Sequence, residues 1–85
     1  MTQADEEKQR RKNMIAAGLR VQRANKNETQ EQVGAGVGVD KSTVSAWENT
    51  GCVGAADAWG LADYYGISLD ELVKRTVPNT QEAVA

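Results

Sequence analysis

Apolar residues in this chain recur at spacings of three and four, the period of a helix, and nowhere alternate for long enough to mark a strand. Met14, Ile15, Leu19 and Ala24 fall near one face of a first segment, from about Asp5 to Ala24, that Asn25, Lys26 and Asn27 close. Three acids open that segment and cations follow, the order a helix dipole favours. Thr29 followed by Gln32 is a capping-box pattern, so a short helix is expected over Gln30–Val37. Gly34 and Gly36 each disfavour that helix by about 1 kcal/mol relative to Ala. The close approach of another helix at Gly34 is the expected reason for tolerating them.

Gly38 stops this segment, and Asp40 is a good N-cap for a third helix, Lys41–Asn49, with Val44 and Trp47 facing inward. Beyond the loop Thr50–Gly54, a stripe of Ala55, Ala58, Trp59, Ala62 and Tyr65, with Leu61 alongside, predicts a fourth helix ended by Gly66. Both tryptophans are expected in the core. Ser68 with Glu71 opens a fifth helix through Leu69, Leu72 and Val73 to about Arg75. The predicted fold is all-α, a compact bundle of five helices. Residues 14–75 would form it, with a basic N-terminal extension or arm over 1–13 and a tail or linker over 76–85.

Length narrows the functions available. At 85 residues a chain buries only about 60–65% of its unfolded surface, which leaves little room for an enclosed cofactor cavity. With no His and a single Cys, Cys52, the chain has no nitrogen-and-sulfur metal set, no Cys/His or Ser/His pair and no internal disulfide. Neither an enzyme nor a cofactor is expected. No apolar run approaches the ~18 residues of a membrane span, and a cytoplasmic protein fits this best. Asn27-Glu28-Thr29 matches a glycosylation sequon that means nothing without a signal peptide.

The formal charge of −2 conceals a division. Residues 1–27 carry seven cations against three acids, a net +4, while residues 28–85 carry three cations against nine acids, a net −6. One basic side is expected on a polarised surface.

A helix, a glycine-containing turn and a second helix together make the helix-turn-helix pattern. Gln30-Glu31-Gln32-Val33-Gly34, Val37-Gly38-Val39 and Ser42-Thr43-Val44-Ser45, then Trp47-Glu48-Asn49, resemble the lambda-repressor-like family of phage repressors, Cro proteins and XRE-type regulators. Leu61-Ala62, Tyr65-Gly66-Ile67-Ser68-Leu69-Asp70-Glu71-Leu72 continue the resemblance in register. The similarity covers about residues 14–75. It implies that Gln30 meets a DNA phosphate and that Lys41 and Ser42 read bases. It further implies that Ser45 and Ala46 reach deeper into the groove, with Thr43 and Asn49 on the backbone. Arg23 and Glu48 match a structural pair that fixes how the recognition helix is presented.

Departures from the family are visible as well. Glu28 stands where an apolar residue is usual, and Thr50-Gly51-Cys52-Val53 lacks a common basic, proline-containing loop. Attraction to DNA is therefore expected from the N-terminal side, where Arg10, Arg11, Lys12 and Arg20 are candidate phosphate contacts. Those cations can equally be a solvated face. Gly34-Ala35-Gly36-Val37-Gly38 superficially matches a dinucleotide fingerprint, but no strand precedes it.

The expected function is a transcriptional repressor, phage or mobile-element derived, whose homodimer binds a pseudo-palindromic operator in double-stranded DNA. Its recognition helices would lie ~34 Å apart. Tyr64, Val73 and Val77 are the candidate dimer surface. A protein-interaction module on the same fold, antitoxin-like or an anti-repressor, is the alternative.

Overall fold

A computed structural model describes residues 2–73. It contains α1 (Gln3–Lys26), α2 (Gln30–Val37), α3 (Lys41–Thr50), α4 (Ala55–Tyr65) and α5 (Leu69–Val73), with no strand among the described residues. The expected tail 76–85, the end of the fifth helix at Arg75 and Val77 all lie outside that range.

α1 begins two residues earlier than its acids suggested. Thr2 caps it, its hydroxyl accepting from the Asp5 N–H at 3.1 Å while Asp5 accepts from the Thr2 N–H at 3.4 Å. The helix is therefore continuous through Arg10, Arg11 and Lys12, and no separate arm forms over residues 3–13. Twenty-four residues make a rod of about 36 Å. Its last turn closes on Asn27, held at φ 57° with its N–H on the Ala24 and Arg23 carbonyls.

α1 packs against α3 and α5, α2 against α3 and α4, and α4 against α5. The core between them is made by Leu19, Val33, Val44, Trp47, Leu61, Ala62, Tyr65 and Leu72. Val33, Val44, Leu61 and Leu72 are completely enclosed, each gaining about 1.5–3 kcal/mol from leaving water.

Two sequence expectations change here. Trp59 is 66% exposed, and Ala55 is exposed with it. α4 covers α2 and α5 with one side only, and it is rotated so that Leu61, Ala62 and Tyr65 face inward with Ala58 half-buried; Ala55 and Trp59, at the edge of the expected stripe, then point to solvent. Ala24 is likewise exposed on α1. The second change concerns Gly34. A β-carbon there would sit 2.6 Å from the Val39 carbonyl oxygen, so what approaches is the backbone of the turn, not a helix. The short connection Gly38–Asp40 doubles back over the middle of α2, and Gly34 accepts from the N–H groups of Gly38 (2.8 Å) and Val39 (2.9 Å). A helix does approach α2 at Gly36, where a β-carbon would come within 2.8 Å of Tyr64 Cδ1 and closer still to the ring edge.

Candidate nucleic-acid interface

α3 is two-sided. Val44, Trp47 and Glu48 are buried, whereas Lys41, Ser42, Ala46 and Asn49 are exposed and Ser45 and Thr43 are half-buried. Positions 41, 45 and 49, with 42 and 46 beside them, follow the four-residue spacing of a single helix face. That face offers one ammonium, two hydroxyls, an amide and a methyl. These are the group types that read base edges in a major groove: ammonium to guanine acceptors, amide to adenine and methyl to thymine. Asn49 already leans along it, its amide donating to Ser45 Oγ at 3.4 Å.

The face opens on Asp40, whose charge is tied into the helix end. One carboxylate oxygen accepts from the Thr43 N–H at 2.9 Å, the Thr43 hydroxyl at 2.7 Å and the Ser42 hydroxyl at 3.0 Å. These bonds, led by the Thr43 hydroxyl, hold its carboxyl below the usual carboxylate range. Ser42 and Thr43 thus spend their protons on the cap and keep their oxygen lone pairs as acceptors.

The orientation of α3 is set from behind by Glu48, only 3% exposed. Its Oε2 accepts from Arg23 Nε at 2.7 Å; its Oε1 accepts from Arg23 Nη2 at 3.0 Å and from the Gln30 amide at 3.1 Å. The structure therefore brings Arg23 and Glu48 together as a two-pronged pair, the strongest geometry available to these groups. The Glu48 carboxylate pushes the Arg23 guanidinium above its ordinary range through that bond. Arg20, from the same helix, donates to the Glu48 backbone carbonyl. Three side chains from α1 and α2 converge on one residue of α3. Arg23 also donates to the Glu28 carbonyl at 3.0 Å, tying in the α1–α2 connection.

Sequence reasoning left Gln30 and Arg20 as phosphate contacts, and the structure places both against Glu48. Arg10 lies on the surface, 3.2 Å from Glu7, while Arg11 is exposed and Lys12 half-buried. Two participants were not expected from the sequence. Tyr64 donates to Glu28 Oε1 at 2.6 Å while its ring lies under Gly36, so Glu28 is held by α4 and not merely tolerated. The one signal was a carboxylate at a usually apolar position, and nothing local in the sequence pairs residue 28 with residue 64. Tyr64, a candidate for the dimer surface, makes this contact within the domain. The Glu28 bond raises its phenol above the ordinary range.

The family model described as helix-turn-helix matches residues 19–72, well over half of the chain. The chain belongs to the helix-turn-helix family. Its type is the Cro- and repressor-like, or XRE, class of DNA-binding regulators. No curated protein and no solved structure matches the chain. In this helix-turn-helix domain α2 and α3 are the paired helices and Gly38–Asp40 is the turn. No helix among the described residues is long and apolar enough to cross a membrane.

Proposed function

We propose that this domain is a sequence-specific transcriptional repressor of the phage or mobile-element kind, acting in the cytoplasm on a pseudo-palindromic operator. The observation that carries the reading is the two-sidedness of α3. A face of Lys41, Ser42, Ser45 and Asn49, with the Ala46 methyl among them, looks outward while Glu48 locks the opposite face to α1 and α2. A reader of base edges needs both: groups of the right chemistry, and a backbone that does not rotate when they bind. Lys41 and Ser42, at the start of α3, read bases; Ser45 and Ala46 lie one turn further in; Thr43 and Asn49 meet the backbone. No cofactor enters this reading.

A domain of this size presents little area for specific affinity, so it acts as a homodimer. Two copies place their recognition helices one duplex turn, ~34 Å, apart. Selecting bound duplexes from a random pool tests the whole reading. The expected result is an enriched site with two inverted halves centred about 10 base pairs apart. Failure of any duplex to be enriched at low salt rejects it.

One observation favours a second reading as a protein-interaction module: the exposed Trp59 indole on the acidic part of the chain. Salt separates the two. DNA affinity falls steeply and linearly on logarithmic axes as salt rises, in proportion to the phosphates contacted.

A further inference from the structure

The face of α1 that the bundle covers changes character where the cover ends. Ile15, Ala16 and Leu19 are packed into the interior, and the same stripe continues N-terminally through Lys12 and Lys8 at four-residue spacing, with Arg11 one turn before Ile15. The boundary is a backbone contact. Gly51, the residue that closes α3, is buried against α1: a β-carbon there would come within 2.8 Å of Lys12 Cα and closer still to its carbonyl. Gly51 also stands at φ 72°, so both its conformation and its neighbour exclude a side chain. Beyond that contact, about nine residues of α1 project as helix for roughly 13 Å.

The acids of the projecting part are occupied elsewhere or turned away. Asp5 is folded back onto the Thr2 cap, Glu6 lies about 160° around the helix from Lys8, and Glu7 is paired with Arg10, which lies about 200° around from Lys8. Lys8, Arg11 and Lys12 are left as a cationic strip next to the end of α3 that carries Asn49 and Gly51.

We propose that this rigid overhang of α1 is a second DNA contact, in which Lys8, Arg11 and Lys12 neutralise phosphates beside the duplex segment that α3 reads. The proposal rests on the DNA-binding reading above and sharpens it. The contact is helical and sided, so Lys8 takes part and Arg10 does not. Charge complementarity identifies the occupant: a duplex carries one negative charge per ~1.7 Å of axis, so a strip of three cations about 6 Å long spans several of them. Because Gly51 seats α1 on the end of α3, the strip keeps a fixed distance from the recognition face.

The test uses the full chain and a fluorescein-labelled 30-base-pair duplex of mixed sequence, since phosphate contacts need no operator. Binding is followed by anisotropy from 50 to 200 mM salt, and helicity by circular dichroism. Lys8→Gln/Arg11→Gln/Lys12→Gln should flatten the salt slope by two to three and lose about tenfold in affinity per contact at 50 mM salt. Lys8→Gln/Arg11→Gln, which leaves the Gly51 seat untouched, should flatten it by about two should the triple variant fold poorly. Arg10→Gln should match the unsubstituted chain. An unchanged slope in folded variants, or an equal flattening by Arg10→Gln, overturns the overhang while leaving DNA binding standing. If the unsubstituted chain binds no duplex at 50 mM salt, both readings fall.

Discussion

The two sides of this domain are held together by different forces. α4 and α5 are fastened by apolar burial, with Leu61 and Leu72 enclosed and, among the described residues, no ion pair in their contact with the core. α3 shares that core through Val44 and Trp47, but it is also gripped by a buried polar cluster in which Arg23, Gln30 and Arg20 all act on Glu48. Apolar burial is non-directional and tolerates small rotations, whereas a two-pronged guanidinium–carboxylate pair fixes one angle about the helix axis. The region that must present side chains in register is the one with directional bonds. Glu28 and Tyr64 join the two sides, so α4 steadies the connection on which Arg23 also pulls.

The largest effect that breaks this comparison should come from Arg23→Ala. It leaves the Glu48 carboxylate buried with the Gln30 amide as its remaining side-chain donor. A loss of about 3–4 kcal/mol in thermal or urea unfolding is expected, comparable with Leu61→Ala on the apolar side. Glu48→Ala should cost less, about 2–3 kcal/mol, because Arg23 keeps roughly a quarter of its side chain in water (26%). The decisive variant is Arg23→Met/Glu48→Leu. Replacing a buried pair with apolar residues often restores stability, so this double variant should unfold near the original temperature yet lose sequence discrimination. Undiminished discrimination would show that apolar packing alone orients α3.

Next in size, Lys41→Ala should cost about 1–3 kcal/mol in preference for the selected duplex over a mismatched one, measured by competition binding. Its effect on unfolding should stay within about 0.5 kcal/mol, as expected for an exposed position. A large loss of stability would contradict the two-sided description of α3.

The smallest effect concerns pH. Burial, reinforced by the Glu48 and Glu28 carboxylates, pushes the Tyr65 hydroxyl up to about 12, against about 10 in an unfolded chain. The folded state therefore favours the neutral phenol. Its contribution is complete below pH 10 and is lost as pH rises from 10 to 12, where the unfolded chain ionises first. With two tyrosines in the chain, absorbance at 295 nm should show Tyr65 contributing little tyrosinate at pH 10 while the protein is folded, read as the difference from a Tyr65→Phe variant. Ordinary titration near 10 in the folded protein would contradict the packing of Tyr65.

Much of this was legible in order along the chain. Thr29 with Gln32, Asp40, Gly66, and Ser68 with Glu71 marked helix ends, because caps act over three or four residues and leave a local signature. α2 was placed over Gln30–Val37 and α3 was foreseen to Asn49, one residue short of its end. Where the sequence misled, the deciding quantity was a rotation or a distance between helices. Ala58, Ala62 and Tyr65 of the expected α4 stripe do face the core, with Leu61 beside them, whereas Ala55 and Trp59 lie at its edge and are exposed. Only packing against α2 and α5 turned the helix to bury Leu61 and Tyr65 and leave Trp59 in water.

Secondary structure and the chemistry of the α3 face were thus determined by the sequence itself, since both depend on spacing along one helix. Tertiary structure decided which cations remain available. Arg20 and Arg23 are committed to Glu48, 28 and 25 residues away, and Arg10 to Glu7, so the basic N-terminal side is partly consumed in holding α3 and partly carried beyond the bundle by α1. A charge count cannot make that division. Whether a guanidinium meets a carboxylate of its own chain or stays in water depends on atoms brought within ~4 Å by packing, and spacing along the chain does not specify that distance.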